Sequence, residues 1–169
     1  MVEVFKNLYV GNEADCSLAR FNGMAVIHAC KFPCHRAAVG YKNSLPPAHP
    51  NYLILENGNN LFLNMVDMEQ ELLPQYTHPI VRTALSFIHK NIGSQNILIH
   101  CNQGQSRSAS LALIYLACFG FIANSTFESA CVNFKKLYPL FQPGLGIAKY
   151  MHKNWTDLMN FRDSVSYTV

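Results

Sequence analysis

The stretch that most constrains the fold is residues 96–119, where the chain changes character twice in quick succession. Asn96-Ile97-Leu98-Ile99-His100 is a short apolar run with the pattern of a strand buried on both faces. Ser108 to Phe119 is apolar nearly all round, which describes a helix at the centre of a core. The two are joined by the polar segment Cys101-Asn102-Gln103-Gly104-Gln105-Ser106-Arg107. A strand, a tight loop and a central helix in this order need a sheet to receive the strand and further helices to cover the helix.

The flanking sequence supplies both. Leu8-Tyr9-Val10 before Gly11-Asn12, and Met24 to Ile27 after Asn22-Gly23, read as strands. Tyr52 to Leu55 and Leu61 to Val66 flank Asn57-Gly58-Asn59-Asn60 and read as two more, or as a strand pair. From Pro79 the period becomes helical, with Ile80, Val81, Ala84, Leu85 and Ile88 on one face and Gly93 as the stop. Ser125 and Glu128 form a capping box for a helix ending near Tyr138-Pro139. A last helix is expected after Pro143-Gly144, with Ile147, Ala148, Met151, Trp155, Leu158 and Met159 on one face. The expected class is α/β: a mixed central sheet flanked by helices, with residues 1–169 forming one domain.

Composition narrows what such a domain does. Half the residues are hydrophobic and 14% are charged, which suits a packed globule and not a disordered chain. A net charge of +3 is too small to argue for nucleic-acid binding. The start, Met1-Val2-Glu3-Val4-Phe5-Lys6, lacks the pattern of a signal peptide. The most apolar run, Leu111 to Ile122, falls short of the roughly 20 residues that span a bilayer. The six cysteines have no framework spacing, so free thiols in a reducing, cytoplasmic setting are expected.

The chemistry is read at the junction of strand and helix. A cysteine at the end of a buried strand, facing a helix N-terminus, meets unpaired N–H groups and the positive end of the helix dipole. Both favour the thiolate, the nucleophilic form. None of the five residues between Cys101 and Arg107 is proline, so Asn102, Gln103, Gly104, Gln105 and Ser106 can all turn N–H groups inward. Such a ring cradles the oxygens of a phosphate. Arg107 closes it with a planar fork that matches two of those oxygens.

His100-Cys101-Asn102-Gln103-Gly104-Gln105-Ser106-Arg107-Ser108 resembles the signature of the protein tyrosine and dual-specificity phosphatases. That resemblance implies a phosphatase-like, mostly parallel sheet and catalysis without metal or organic cofactor. It makes Cys101 the nucleophile of a phosphocysteine intermediate and Arg107 the phosphate clamp. Ser108 would hydrogen-bond the sulfur, and His100 would tune the thiolate from behind. The family also places an aspartic acid on a loop upstream. Here Asp67 follows Leu63-Asn64-Met65-Val66, 34 positions before Cys101, as in the compact dual-specificity branch. It would protonate the leaving oxygen and then activate water. Glu69 and Glu71 are alternatives on the same loop. Asn7 to Gly11 is similar to the family's opening strand. Phe141-Gln142-Pro143-Gly144 stands where the family often carries an asparagine, which leaves the support of the cradle open on that side.

Cys30 and Arg36 repeat the cysteine–arginine spacing, but Pro33 lacks an N–H and Ala37 stands where a hydroxyl is needed, so this is a false match. His28, Cys30, Cys34 and His35 crowd into eight residues with no second half-site, which argues against zinc. The absence of a long pocket-deepening insertion, together with neutral Asn102, Gln103 and Gln105, points to a phosphoprotein substrate carrying one phosphate on tyrosine, serine or threonine. Three other readings remain: a phosphatase for a phosphoinositide or an RNA 5'-end, a non-catalytic phosphoprotein-binding module, and another thiolate enzyme such as a sulfur carrier or arsenate reductase.

Overall fold

A computed structural model describes residues 1–166. Six strands form one mixed sheet: β1 (Val2–Phe5), β2 (Leu8–Gly11), β3 (Ala25–His28), β4 (Ile54–Asn57), β5 (Asn60–Leu63) and β6 (Ile97–His100), in the order β1-β2-β6-β3-β5-β4. The inner strands β2, β6, β3 and β5 run parallel, and antiparallel partners close both edges. All four residues of β3 and of β6 are buried, as strands covered on both faces must be.

Side chains alternate across the sheet. Leu8, Val10, Ile27, Ile97 and Ile99 face the large core built with α3 (Pro74–Asn91) and α4 (Arg107–Cys118). Val26 and Leu98 face the opposite side with Met24 and Ala19, the last of which lies on α1 (Glu13–Phe21). Every residue of α4 is buried, as its all-round apolar sequence predicts. Each fully buried leucine there contributes about 2 kcal/mol. α2 (Arg36–Val39) is a short helix between β3 and β4, and α5 (Phe127–Leu137), α6 (Leu145–Lys153), α7 (Trp155–Met159) and α8 (Phe161–Ser166) add residues to the same large core. Among the described residues, no helix is long and apolar enough to cross a membrane.

Several boundaries differ from the sequence reading for local reasons. α1 carries a capping box from Asn12 and Asp15 but buries only Ala19, so its apolar signal is faint. β4 and β5 pair Asn57 with Asn60, leaving Gly58-Asn59 as a two-residue turn with Gly58 at φ +56°. α3 starts at Pro74, not Pro79. Thr77 donates to the Leu73 carbonyl (3.0 Å) and fixes the first turn, so Pro79 costs one helical hydrogen bond near the N-terminus. The capping box of α5 is Thr126 with Ser129, one residue beyond Ser125 and Glu128. The single last helix expected from the sequence is three, broken at Asn154 and Asn160.

Candidate active site

In an open sheet with parallel strands, ligands bind beyond the strand C-termini. Here Gly11, His100 and His28 stand side by side at that edge, at the ends of β2, β6 and β3. Cys101 leaves β6 there and is 1% exposed. Its Sγ accepts from the Gly104 amide (3.3 Å) and from the Ser108 hydroxyl (3.2 Å). Ser106 precedes α4 but does not cap it with its side chain. Its hydroxyl donates instead to Asp67 Oδ1 (3.2 Å). The first amides of α4 are therefore left without that usual side-chain acceptor, beside the thiol.

Gly104 sits at φ +80°, where a Cβ would stand 2.9 Å from the Gly11 carbonyl. The turn that points the amide at sulfur thus requires glycine on two counts. Arg107 is 8% exposed. It donates to the Met65 carbonyl (3.2 Å) and to Asn102 Oδ1 (2.8 Å), which hold the guanidinium beside the loop. Asp67 Oδ2 lies 3.6 Å from Arg107 Nε, near enough for charge pairing but too far for a hydrogen bond. Asp67 is thereby brought to the cradle by contacts from both Ser106 and Arg107. Glu71 turns away to Lys153 (3.3 Å), and Glu69 is exposed.

Asn102 is committed to the scaffold: its amide also donates to Glu13 and to the Phe32 carbonyl, each at 3.2 Å. Gln103 is exposed and Gln105 half-buried. The repeated spacing at Cys30–Arg36 builds no such loop, because Arg36 Nε donates to the Tyr41 carbonyl (3.1 Å). His35, one of the four crowded residues of that stretch, turns its ring to the Tyr41 hydroxyl and the Asn51 carbonyl.

No family model matches the chain. Solved structures do. DUSP15 is 17% identical and covers 100% of this chain and 96% of its own, with a TM-score of 0.65. The phosphatase domain of Yvh1 from Chaetomium thermophilum is 17% identical over 92% of this chain and 94% of its own, at 0.58. Human DUSP28 is 18% identical over 100% of both chains, at 0.54. The chain has the dual-specificity phosphatase fold.

Within that fold, the side of the cradle that lacks an asparagine is supported by other means. Tyr138 donates its hydroxyl to the Gly104 carbonyl (3.0 Å), and the Gln142 amide donates to the Gln105 carbonyl (3.0 Å). The Gly144 amide donates to Ser106 Oγ (3.0 Å), which is already bonded to Asp67. A Cβ on Gly144 would collide with Asp67 Oδ1, and one on Gly146 with the carbonyls of Met68 and Gln70. The two glycines therefore seat the loop that carries Asp67. Sequence reasoning reached Tyr138 only as a helix end and Gly144 only as a helix start; neither carries a local signal for this role. We expect Gly144→Ala to displace Asp67 and lower turnover about tenfold or more while leaving the melting temperature within a few degrees. Comparing kcat with thermal melts checks it.

Behind Cys101 the His100 ring meets His28, Nε2 to Nδ1 at 2.7 Å, and His28 Nε2 meets Asn60 Oδ1 at 3.1 Å. Burial holds each ring down to about 4 from its usual 6.5. For His100 the neighbouring Cys101 backbone offsets part of that effect. Both rings are neutral in the folded chain at pH 7, whereas in the unfolded chain they take up protons near pH 6.5. Their contribution to stability is full above that pH and falls as the pH drops towards 4, by up to about 3 kcal/mol for one ring. Urea unfolding of chelator-treated protein between pH 7 and 4 measures this, and a flat profile contradicts it.

Proposed function

We propose that the chain is a protein phosphatase that transfers a single phosphoryl group from a phosphorylated side chain to Cys101 and then to water. The observation that carries this reading is the meeting, at one loop, of a buried thiol bonded by Gly104 and Ser108 with an aspartate from another element. The thiolate attacks phosphorus as the ester oxygen leaves. The loop amides and the fork of Arg107 stabilise charge on the equatorial oxygens. Asp67 protonates the leaving oxygen, while Ser108, whose hydroxyl donates to Cys101 Sγ (3.2 Å), stabilises the sulfur when it leaves in the second step. The carboxylate of Asp67 then takes a proton from the attacking water.

A phosphoprotein suits the surroundings better than a polyphosphate. No cradle residue between Cys101 and Arg107 is cationic. Beside the acid loop lies a largely apolar hollow of about 450 Å³, lined by Tyr52, Val66, Met68, Leu73 and Tyr76, with Lys31 at its wall. Such a hollow fits side chains flanking a phosphoresidue. The test is phosphate release from phosphotyrosyl and phosphothreonyl peptides, a phosphoinositide and a 5'-triphosphorylated RNA at equal concentrations. The peptides should be turned over fastest, by about tenfold or more in kcat/KM. Faster release from lipid or RNA would reassign the substrate, and no release from any of the four would favour a binding module.

A further inference from the structure

On the face of the sheet opposite α4, the structure gathers side chains that the phosphatase reading does not use. Donor atoms of Cys16, His28 and His100 lie within 4.8 Å of one another, and so do those of Cys30, Cys34 and His100. His100 is common to both trios, so the half-site that the sequence lacks is supplied by Cys16 on α1 and His100 on β6. All five residues are buried or half-buried, and all the cysteines are free thiols. Cys16, His28 and Cys34 line an open cavity of about 380 Å³, which gives a solvent path to the cluster.

The hydrogen bonds prepare the donors. With Asn60 Oδ1 accepting from His28 Nε2 (3.1 Å), the lone pair of His28 Nδ1 faces inward, towards His100 Nε2 at 2.7 Å and Cys16 Sγ at 3.8 Å. An imidazole oriented by a carbonyl on its far nitrogen is the usual arrangement around a bound metal. In this tautomer His100 Nε2 carries the proton, and its other nitrogen, Nδ1, is a fully buried polar atom with no hydrogen-bond partner. A cation on Nε2 would place the ring proton on Nδ1.

We propose that this cluster is a zinc site, with Cys30, Cys34 and His100 as ligands and the His28–Cys16 pair supplying the fourth donor. Two thiols and an imidazole within 4.8 Å of one another, with a further sulfur and nitrogen beside the same imidazole, favour Zn²⁺ among the common divalent ions. Binding releases the thiol protons of Cys30 and Cys34 to solvent. The ion would sit against His100, directly behind Cys101, and its presence does not depend on the phosphatase reading.

The test uses the full, reduced chain with Zn²⁺ or Co²⁺ alone. One equivalent of Co²⁺ should give thiolate charge-transfer bands and the visible spectrum of a tetrahedral site. Zn²⁺ should displace it and shield Cys30 and Cys34 from alkylation, as mapped by peptide mass. Cys34→Ser, at a half-buried position, should weaken Zn²⁺ binding at least about 100-fold, and Asn60→Ala about 10-fold or more. Cys101→Ser should bind as the natural chain does. Absence of one-equivalent binding, shielding of Cys101 alone, or loss of binding in Cys101→Ser would each overturn the site. Because the alkylation readout uses the unmutated chain, it decides even if a variant fails to fold.

Discussion

Replacing Cys101 with serine should abolish hydrolysis of aryl phosphates, by roughly 10⁴-fold or more, with no loss of fold. The expectation follows from what surrounds the sulfur. A hydroxyl at this position is of similar size and can keep its contacts to the Gly104 amide and the Ser108 hydroxyl. Those donors can bond a sulfur nucleophile, whereas a serine oxygen would have to attack as a far more basic and less nucleophilic group. Steady-state release of the phenol from an aryl phosphate, beside a thermal melt, measures both halves. A serine variant with substantial activity would remove Cys101 from the mechanism.

The second large effect belongs to Asp67, and it should depend on the leaving group. Asp67→Ala removes the carboxylate that meets Ser106 and Arg107 at the cradle, whereas Glu13, which also touches the loop, is taken up by the Asn102 side chain. For a phosphotyrosyl peptide, whose phenoxide is basic, the first step should slow about 10²–10⁴-fold. For an activated aryl phosphate the first step needs little proton transfer. The second step then limits turnover, because no base remains to activate water. The variant should therefore release one equivalent of the activated phenol rapidly and then stall. Equal losses on both substrates, with no burst, would place Asp67 outside proton transfer. Loss of the Ser106 and Arg107 contacts is not expected to unfold the loop, because Gly146 still donates to the Met68 carbonyl and accepts from the Leu72 amide.

Much of this site was legible in the sequence because its parts are contiguous. The strand, the loop and α4 occupy one stretch, and each carries a strong local signal: an apolar run, a glycine, an all-buried helix. The placement of Asp67 at the cradle was reached through family resemblance, since no local pattern ties residue 67 to residue 106. Tyr138, Gln142 and Gly144 were out of reach because they act through a backbone carbonyl, an amide and the lack of a side chain. The sheet was legible through β3 and β6, where burial on both faces leaves nearly unbroken apolar runs, and through the apolar Leu8-Tyr9-Val10 of β2. α1 was not, because it is a short helix of nine residues that buries only Ala19. The Cys16–His100 side of the sulfur and imidazole cluster was hidden for a simpler reason: its members are 84 positions apart and meet only through the pairing of β3 with β6 and the packing of α1.

The central claim is that a phosphoryl group passes through Cys101. It is tested most directly by mixing Asp67→Ala with an activated aryl phosphate, quenching in acid and weighing the intact chain. A cysteine mechanism predicts one added phosphoryl group per chain, located at Cys101 and missing when Cys101→Ser is combined with the same substitution. Sustained phosphate release with an unmodified Cys101, or an adduct that persists without this cysteine, would contradict it.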